Sequence, residues 1–279
     1  MPELPEVETV CRGLAASLQG RKLVRLQQRR LDLRVALPER FAERLAGRRF
    51  ERIERRAKYI LMHFDDGQVL ICHLGMTGRM MLGRGEPVLE IHDHVVFFAE
   101  GDVNLRFNDV RRFGLMDLTT TEDLAAHKLL AGLGPEPLGP DFNGPALAKA
   151  LAGKRTPIKA ALLDQRVVAG IGNIYASEAL FRAGISPKRL AHTVQGERAN
   201  KLARMVRAVL SEAIAAGGSS LRDYVQTDGE LGYFQHRWRV YEREGLRCRG
   251  CNCDPQATGG IRRIVQSGRA SFYCPRKQR

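Results

Sequence analysis

The chain has 279 residues, with 45 Lys and Arg against 31 Asp and Glu and a formal net charge of +14 at pH 7. Its hydrophobic content of 44% is ordinary for a globular protein, with length for two domains and an ample core. No apolar run approaches the ~18 residues of a membrane helix, which argues against a helical membrane protein, and a pI near 10.0 favours a polyanionic partner, nucleic acid first.

The opening stretch, Met1-Pro2-Glu3-Leu4-Pro5-Glu6-Val7-Glu8, has no apolar or arginine-rich targeting character, so the expected location is cytoplasmic. It reads as a helix start. Proline is tolerated in a first turn, where its missing N–H had no partner, and Glu3, Glu6 and Glu8 suit the positive end of the helix dipole. On those grounds alone it is an ordinary acidic helix start. A second reading follows from Pro2, a small second residue that favours removal of Met1. The new terminus is a secondary amine with a reference pKa of about 7.7–8.0, partly neutral near pH 7. Such an amine attacks an aldehyde-like carbon to give an iminium, and Glu3 beside it can carry protons. The run from Met1 to Val10 resembles the start of the formamidopyrimidine-DNA glycosylases, bacterial enzymes that excise oxidised purines. The resemblance implies Pro2 and Glu3 as catalytic residues and Glu6 as a supporting residue that orders the terminus.

The first helix is predicted to end near Gln19-Gly20, after which the pattern turns to strands. Leu23 to Leu26 and Arg52 to Arg55 alternate or nearly so. Tyr59 to Phe64, Asp65-Asp66-Gly67 and Val69 to Leu74 read as a hairpin with an acidic-Gly turn. A second hairpin runs through Val95 to Phe98 and Val103 to Phe107, around Glu100-Gly101-Asp102. Short strands at this spacing suggest a sandwich or barrel. Cys11 and Cys72, isolated among apolar residues, read as core.

Lys58 stands at a strand entry, where it could equally be a solvated charge; the resemblance implies a catalytic-site and phosphate-binding lysine. Two Gly-punctuated loops, His73 to Gly78 and Asp109 to Gly114, leave strands and carry Met76, Arg111 and Phe113. An apolar wedge and a guanidinium are what a duplex-invading enzyme needs to replace an extruded base, although Met76 and Phe113 taken alone would more often be core. These loops are similar to the family's void-filling loops, which places His73, His92 and Arg111 at DNA-contacting positions. His92-Asp93-His94 lacks an evident third ligand and is not read as a metal site.

Gly132 to Pro140 is a Gly/Pro-rich linker and the predicted domain boundary. Beyond it, Ala146 to Leu151, Ile158 to Leu163, Ile174 to Ala183 and Leu202 to Ala216 carry apolar residues at helical spacing. In Gly170-Ile171-Gly172-Asn173, two glycines permit a close backbone approach, and Asn173 is the expected N-cap of an anion-binding helix start; a tight helix–helix turn fits the spacing equally. The run from Gly170 to Phe181 resembles the family's helix–two-turns–helix motif, which implies that Asn173 and Lys154 grip phosphates. Gly217 to Gln226 is small and hydroxyl-rich, suited to a loop over a ligand. The family's lesion-binding loop has this character and place, which implies Ser219, Ser220 and Tyr224 as damaged-base contacts.

The last 44 residues, His236 to Arg279, hold 11 Lys and Arg against 3 Asp and Glu. Cys248-x2-Cys251 has the spacing of a zinc knuckle, and a cysteine cluster in a cytosolic chain argues for metal rather than disulfides. Ile261 to Ser271 supplies a hairpin with Gln266-Ser267-Gly268 as its turn. This resembles the family's zinc-finger hairpin, with Arg269 at its catalytic, phosphate-clamping arginine. The resemblance breaks at Cys274-Pro275-Arg276-Lys277, where Lys277 stands in place of a fourth cysteine. Cys248, Cys251 and Cys274 are therefore expected to hold structural zinc with Cys253 as a candidate fourth ligand, unless the finger is three-ligand or metal-free.

The expected fold is α+β: an N-terminal β-sandwich with an N-terminal helix (1–133), a helical helix–two-turns–helix domain (134–235) and a zinc-finger-like hairpin (236–279). The resemblance implies a monomeric, bacterial-type, nucleoid-associated DNA repair enzyme. It would be a DNA glycosylase with AP-lyase activity, acting on duplex DNA with oxidised purines or abasic sites. Oxidised pyrimidines, or DNA binding without catalysis, are the alternatives.

Overall fold

The computed structural model describes residues 1–219, 232–252 and 254–279. Two compact units divide it, Met1–Ala131 with Ile214–Gln235, and Gly132–Ala213 with His236–Arg279. From the sequence, three consecutive segments, 1–133, 134–235 and 236–279, are expected. In the structure the stretch that follows residue 213 groups with the N-terminal unit.

The first unit begins with α1 (Leu4–Leu18). Leu4, Val7, Val10, Cys11, Leu14 and Leu18 are buried, the i, i+3, i+7 stripe of an amphipathic helix. β1 (Leu23–Gln28), the short α2 (Phe41–Leu45) and β2 (Phe50–Arg56) follow. β3 (Tyr59–Phe64) and β4 (Gln68–His73) form the first predicted hairpin. Gly67, at φ 80°, supplies the left-handed turn position that L side chains disfavour. Then come β5 (Arg79–Arg84), β6 (Asp93–Ala99), β7 (Val103–Asn108) and β8 (Leu115–Thr120). All pairings are antiparallel, giving sheets of order β1-β6-β7-β5 and β2-β3-β4-β8. Alternate residues of both sheets, among them Leu26, Ile60, Met62, Leu70, Cys72, Val95, Phe97, Leu105 and Phe107, join α1 in one buried cluster, as two inner sheet faces must. The sandwich is thus the predicted one. Strands β5 and β8, each at a sheet edge, are not expected from the sequence; their burial does not alternate.

The second unit holds α3 (Gly144–Leu151), α4 (Ile158–Leu163), α5 (Asn173–Ala183), most of α6 (Glu197–Ala215), α7 (Pro255–Thr258) and the hairpin β9 (Arg262–Gln266) with β10 (Arg269–Tyr273). Nine of the eleven residues of α5 are buried, so it is the unit's central element rather than a surface helix. Its Glu178 carboxylate is fully buried and accepts the backbone N–H groups of Arg239, Val240 and Tyr241 at 2.9–3.0 Å. Burial raises that carboxyl above its ordinary pKa, and the three N–H groups oppose the rise. The contact fixes the chain just before the C-terminal module. Phe181, Val240, Cys248, Ile261, Phe272 and Cys274 then form that module's own small core. Among the described residues, no helix is long and apolar enough to cross a membrane.

Candidate active site and cysteine cluster

Glu3 is the N-cap of α1, and with Glu6 it completes a capping box, a reciprocal pairing that satisfies two orphan N–H groups. Glu6 Oε2 accepts the Glu3 N–H at 2.8 Å. Its other oxygen, Oε1, accepts the Ser219 N–H at 2.8 Å. Glu3 and Glu6 are only 3% and 2% exposed, and Ser219 is fully buried. One carboxylate thus holds both the approach to Pro2, itself buried, and the far end of the chain's return after α6. Gly218 makes this possible: it sits at φ +80° with Glu6 Oε1 3.0 Å from where a Cβ would be. Ser219 also bridges to Tyr233, and Phe234 donates its N–H to Gly218 O. Ser220 and Tyr224 lie outside the described residues, as does Cys253.

Lys58 is 7% exposed and follows Ala57, whose φ of 53° is strained for a residue with a Cβ. Arg55 supports that turn. Its Nη1 donates to Ala57 O at 3.1 Å and its Nε to Glu8 Oε2 at 3.0 Å, joining α1 to the turn that carries Lys58. Glu8 and Arg55 as a positioning pair are not foreseen from the sequence, because nothing local marks two residues 47 apart as partners. His73 is held well below its ordinary pKa, at about 4, by burial first and then by the positive charges of Lys58 and Arg34. Its Nδ1 accepts the Gly75 N–H at 3.0 Å. A neutral ring with Nδ1 accepting carries its proton on Nε2, so His73 can act as a neutral donor toward an anion.

The two loops after β4 and β7 are locked together. Gly75, at φ +64°, lies so close that a Cβ would stand 2.3 Å from the Phe113 carbonyl carbon. Asp109 accepts from the Thr77 hydroxyl and, through Oδ2, from the Gly114 N–H at 2.8 Å, while Arg111 N–H donates to Thr77 Oγ1 at 3.1 Å. Asp109 is fully buried and is the organising residue of the pair, a role that its place in the sequence does not announce. Out of this anchor project Arg111 and Phe113, the guanidinium 4.5 Å from the ring centroid. Phe113 is 45% exposed and Met76 half-buried, so neither is a core residue. His92 is also half-buried, beside His94 with ring centroids 6.3 Å apart. Asp93 is spoken for by Arg106 and Asn108 at 3.1 and 2.9 Å.

In the second unit Asn173 is the first residue of α5, not its N-cap; that position belongs to Gly172, whose extended backbone makes no side-chain cap. The amide instead donates from Nδ2 to the Tyr241 hydroxyl at 3.4 Å, and its buried Oδ1 has no partner among the described residues. Lys154 Nζ lies 3.8 Å from Asp164. Arg269 is exposed and opens β10 opposite Gln266. The intervening Ser267 and Gly268 have φ of 48° and 74°, the two positive angles of a tight hairpin turn.

Cys248, Cys251 and Cys274 bring their sulfurs within 4.8 Å of one another. Cys251 Sγ lies 3.6 Å from Cys274 Sγ, near the ~3.8 Å that tetrahedral zinc with Zn–S bonds of about 2.3 Å requires. Backbone N–H groups of Gly250 and Lys277 point to Cys248 and Cys274 Sγ at 3.3 and 3.4 Å. Three soft donors in this arrangement fit a metal such as zinc at three corners. Without such a positive charge, burial pushes the Cys248 thiol up to about 12, with the neighbouring thiols adding to it and the Gly250 N–H opposing. Lys277 turns its Nζ onto the Phe181 ring, 4.5 Å from the centroid. Among the described residues, no His-Asp-His metal group forms.

Residues 1–116 match the family described as formamidopyrimidine-DNA glycosylase N-terminal domain, and residues 133–225 match the formamidopyrimidine-DNA glycosylase H2TH domain. The chain belongs to the formamidopyrimidine-DNA glycosylase family. The glycosylase of Rhodospirillum centenum is 60% identical over the full length of both chains. The Fpg protein of Thermus thermophilus superposes with a TM-score of 0.86 at 41% identity, covering 99% of this chain and 98% of that one. A mutant Lactococcus lactis Fpg on Fapy-dG DNA gives a TM-score of 0.89 at 33% identity, covering 99% of each. Fpg of that organism has also been solved on THF-containing DNA and on DNA containing an oxidised pyrimidine. The chain is therefore of a DNA glycosylase family, and the Lactococcus lactis member has been solved on damaged DNA.

Proposed function

We propose that this glycosylase is bifunctional, removing oxidised purines, chiefly 8-oxoguanine and formamidopyrimidines, and then nicking the strand as an AP lyase. The observation that carries the reading is the Glu6 carboxylate, shared between the Glu3 and Ser219 N–H groups, which orders the segment bearing Pro2. Once Met1 is removed, the Pro2 amine attacks C1′ of an extruded nucleotide. Glu3 gives a proton to the opening sugar ring, and the damaged base leaves with its bonding electrons. The resulting iminium acidifies the C2′ protons; loss of one expels the 3′ phosphate and cuts the strand.

The other residues fall into supporting roles. Lys58 and Arg269 hold the flanking phosphates and take part in the elimination steps. His73, His92, Arg111, Lys154 and Asn173 contact the backbone, Lys154 exchanging Asp164 for phosphate and Asn173 turning its Nδ2 donor from the Tyr241 hydroxyl to phosphate. Met76, Arg111 and Phe113 fill the space the base vacates. Ser219, with Ser220 and Tyr224, contacts the lesion. Cys248, Cys251 and Cys274, with Cys253 as fourth ligand, would hold zinc as a structural bracket for the hairpin.

Excision of 8-oxoguanine opposite cytosine, compared with thymine glycol in the same duplex and each followed by borohydride trapping, tests the reading. Preferential trapping on the purine is expected. The complex of the Lactococcus lactis relative with an oxidised pyrimidine favours a second reading with broader substrate choice, and equal trapping on both lesions would select it. No trapping on either would leave a DNA-binding relative without catalysis.

A further inference from the structure

The C-terminal tail carries an arrangement that the catalytic reading does not use. The second knuckle, Cys274-Pro275-Arg276-Lys277, turns a backbone N–H onto its first sulfur as the first does, from one residue further on: Lys277 N–H points to Cys274 Sγ three residues back, Gly250 N–H to Cys248 Sγ two residues back. Its fourth residue is a cation, not a thiol. Lys277 Nζ stacks on Phe181, a fully buried residue of α5. The side chain reaches it by crossing Gly250, where a Cβ would stand 2.4 Å from Nζ and 3.1 Å from Cδ. The glycine of the first knuckle is therefore what admits the lysine of the second.

The next residue completes the attachment. Gln278 is 3% exposed. Its Oε1 accepts the Cys274 N–H at 2.8 Å, and its Nε2 donates to Ile185 O at 2.9 Å. Arg279 N–H donates to Gly184 O, and Ser186 N–H to Arg279 O, both at 3.1 Å. The tail thus ties the end of β10 to the end of α5 by groups that are not metal ligands. A structural zinc normally supplies this restraint by drawing two knuckles onto one ion, and fingers that depend on it unfold without metal.

We propose that Lys277 and Gln278 form a metal-independent clasp that keeps the β9–β10 hairpin, and with it Arg269, in place when the cysteine cluster is empty. Lys277 is then a positioning residue that replaces a metal–thiolate bond by a cation–π contact, and zinc becomes an addition to a finger already held.

Hydrogen exchange at the hairpin amides tests this in the full-length protein, zinc-loaded and after chelation, with metal content read by elemental analysis. Protection at residues 262–266 and 269–273 should change by less than about twofold on chelation. In Lys277→Met, which keeps an apolar stem but loses the charge, chelation should lower hairpin protection on the order of tenfold, and Lys277→Arg should restore it. Amides of the N-terminal sandwich serve as the internal control for global folding. Loss of hairpin protection in chelated wild-type protein would overturn the clasp, as would a Lys277→Met protein no more sensitive to chelation than wild type. A Gln278→Glu variant, which loses the donor to Ile185 O, gives an independent arm with the same expected direction. These readouts do not involve DNA cleavage, so they stand or fall apart from the catalytic proposal.

Discussion

Glu6 and Ser219 are 213 positions apart in sequence and 2.8 Å apart in space, joined by a hydrogen bond from the Ser219 N–H to the Glu6 carboxylate. The same carboxylate caps α1 through the Glu3 N–H. Because the group is buried and accepts two backbone donors, replacing it by Ala takes this acceptor from both N–H groups. Glu6→Ala should destabilise the protein by about 2–3 kcal/mol in urea denaturation, and should depress borohydride trapping more than DNA binding. An unchanged urea midpoint would show that the bridge carries no weight.

The Pro2 amine is the proposed nucleophile. A tag left ahead of Pro2 should abolish trapping on 8-oxoguanine DNA and leave binding to undamaged duplex largely intact. Trapping that survives the blocked terminus would move the assignment to a lysine, with Lys58 the first to examine.

Gly75 lies against the Phe113–Gly114 backbone, where the two loops that carry Met76, Arg111 and Phe113 meet. In Gly75→Ala the new Cβ meets the Phe113–Gly114 backbone, and its φ of +64° is strained for any side chain. The substitution should cost about 2 kcal/mol of stability and weaken excision from duplex more than from a lesion opposite an abasic site. Equal losses on both substrates would argue against a void-filling role for these loops.

Arg269 is exposed at the hairpin tip. If it holds a phosphate, Arg269→Ala should weaken binding to all duplex sequences and lower the slope of log affinity against log salt by about 1. A fall in affinity with an unchanged slope would mean that the side chain contributes something other than a phosphate contact.

His73 gives a pH dependence with a definite sign. Its folded pKa of about 4 lies below the ordinary 6.5, so between those values the unfolded state binds more protons. The stability that comes from burying a neutral ring is therefore present above pH ~6.5 and lost as pH falls toward 4. Urea midpoints should drop across that window, and the drop should be smaller in His73→Gln. A variant with the wild-type slope would assign the acid sensitivity elsewhere, His63 being another buried histidine with a lowered pKa.

The strands and helices that carry these groups were legible where periodicity was strong. The hairpins around Gly67 and Gly101 and the helices α3 to α6 lie within a few residues of their expected bounds. Strands β5 and β8 were not legible, since their buried and exposed residues do not alternate with a period of two. Asn173 reads as a cap from its residue type, yet Gly172 takes that position because its extended backbone brings the chain into α5 without a side chain.

The sequence by itself determined the chemistry available to this protein. It supplies a proline behind Met1 with glutamates beside it, a strongly basic composition, a Cys-x2-Cys knuckle, and a lysine where a fourth thiol would stand. Those are properties of residue type and local spacing, and they survive without coordinates. Only the tertiary structure decided which of these groups meet. The Glu6–Ser219 bridge, the Glu8–Arg55 support of the turn before Lys58, the seating of Gly75 on Phe113 and the stacking of Lys277 on Phe181 all join residues far apart in the chain. No local pattern encodes such pairs. They follow from the packing of α1 on its sheets and from the burial of α5, which bring distant backbone and side-chain groups out of water together and leave each polar one to find a partner.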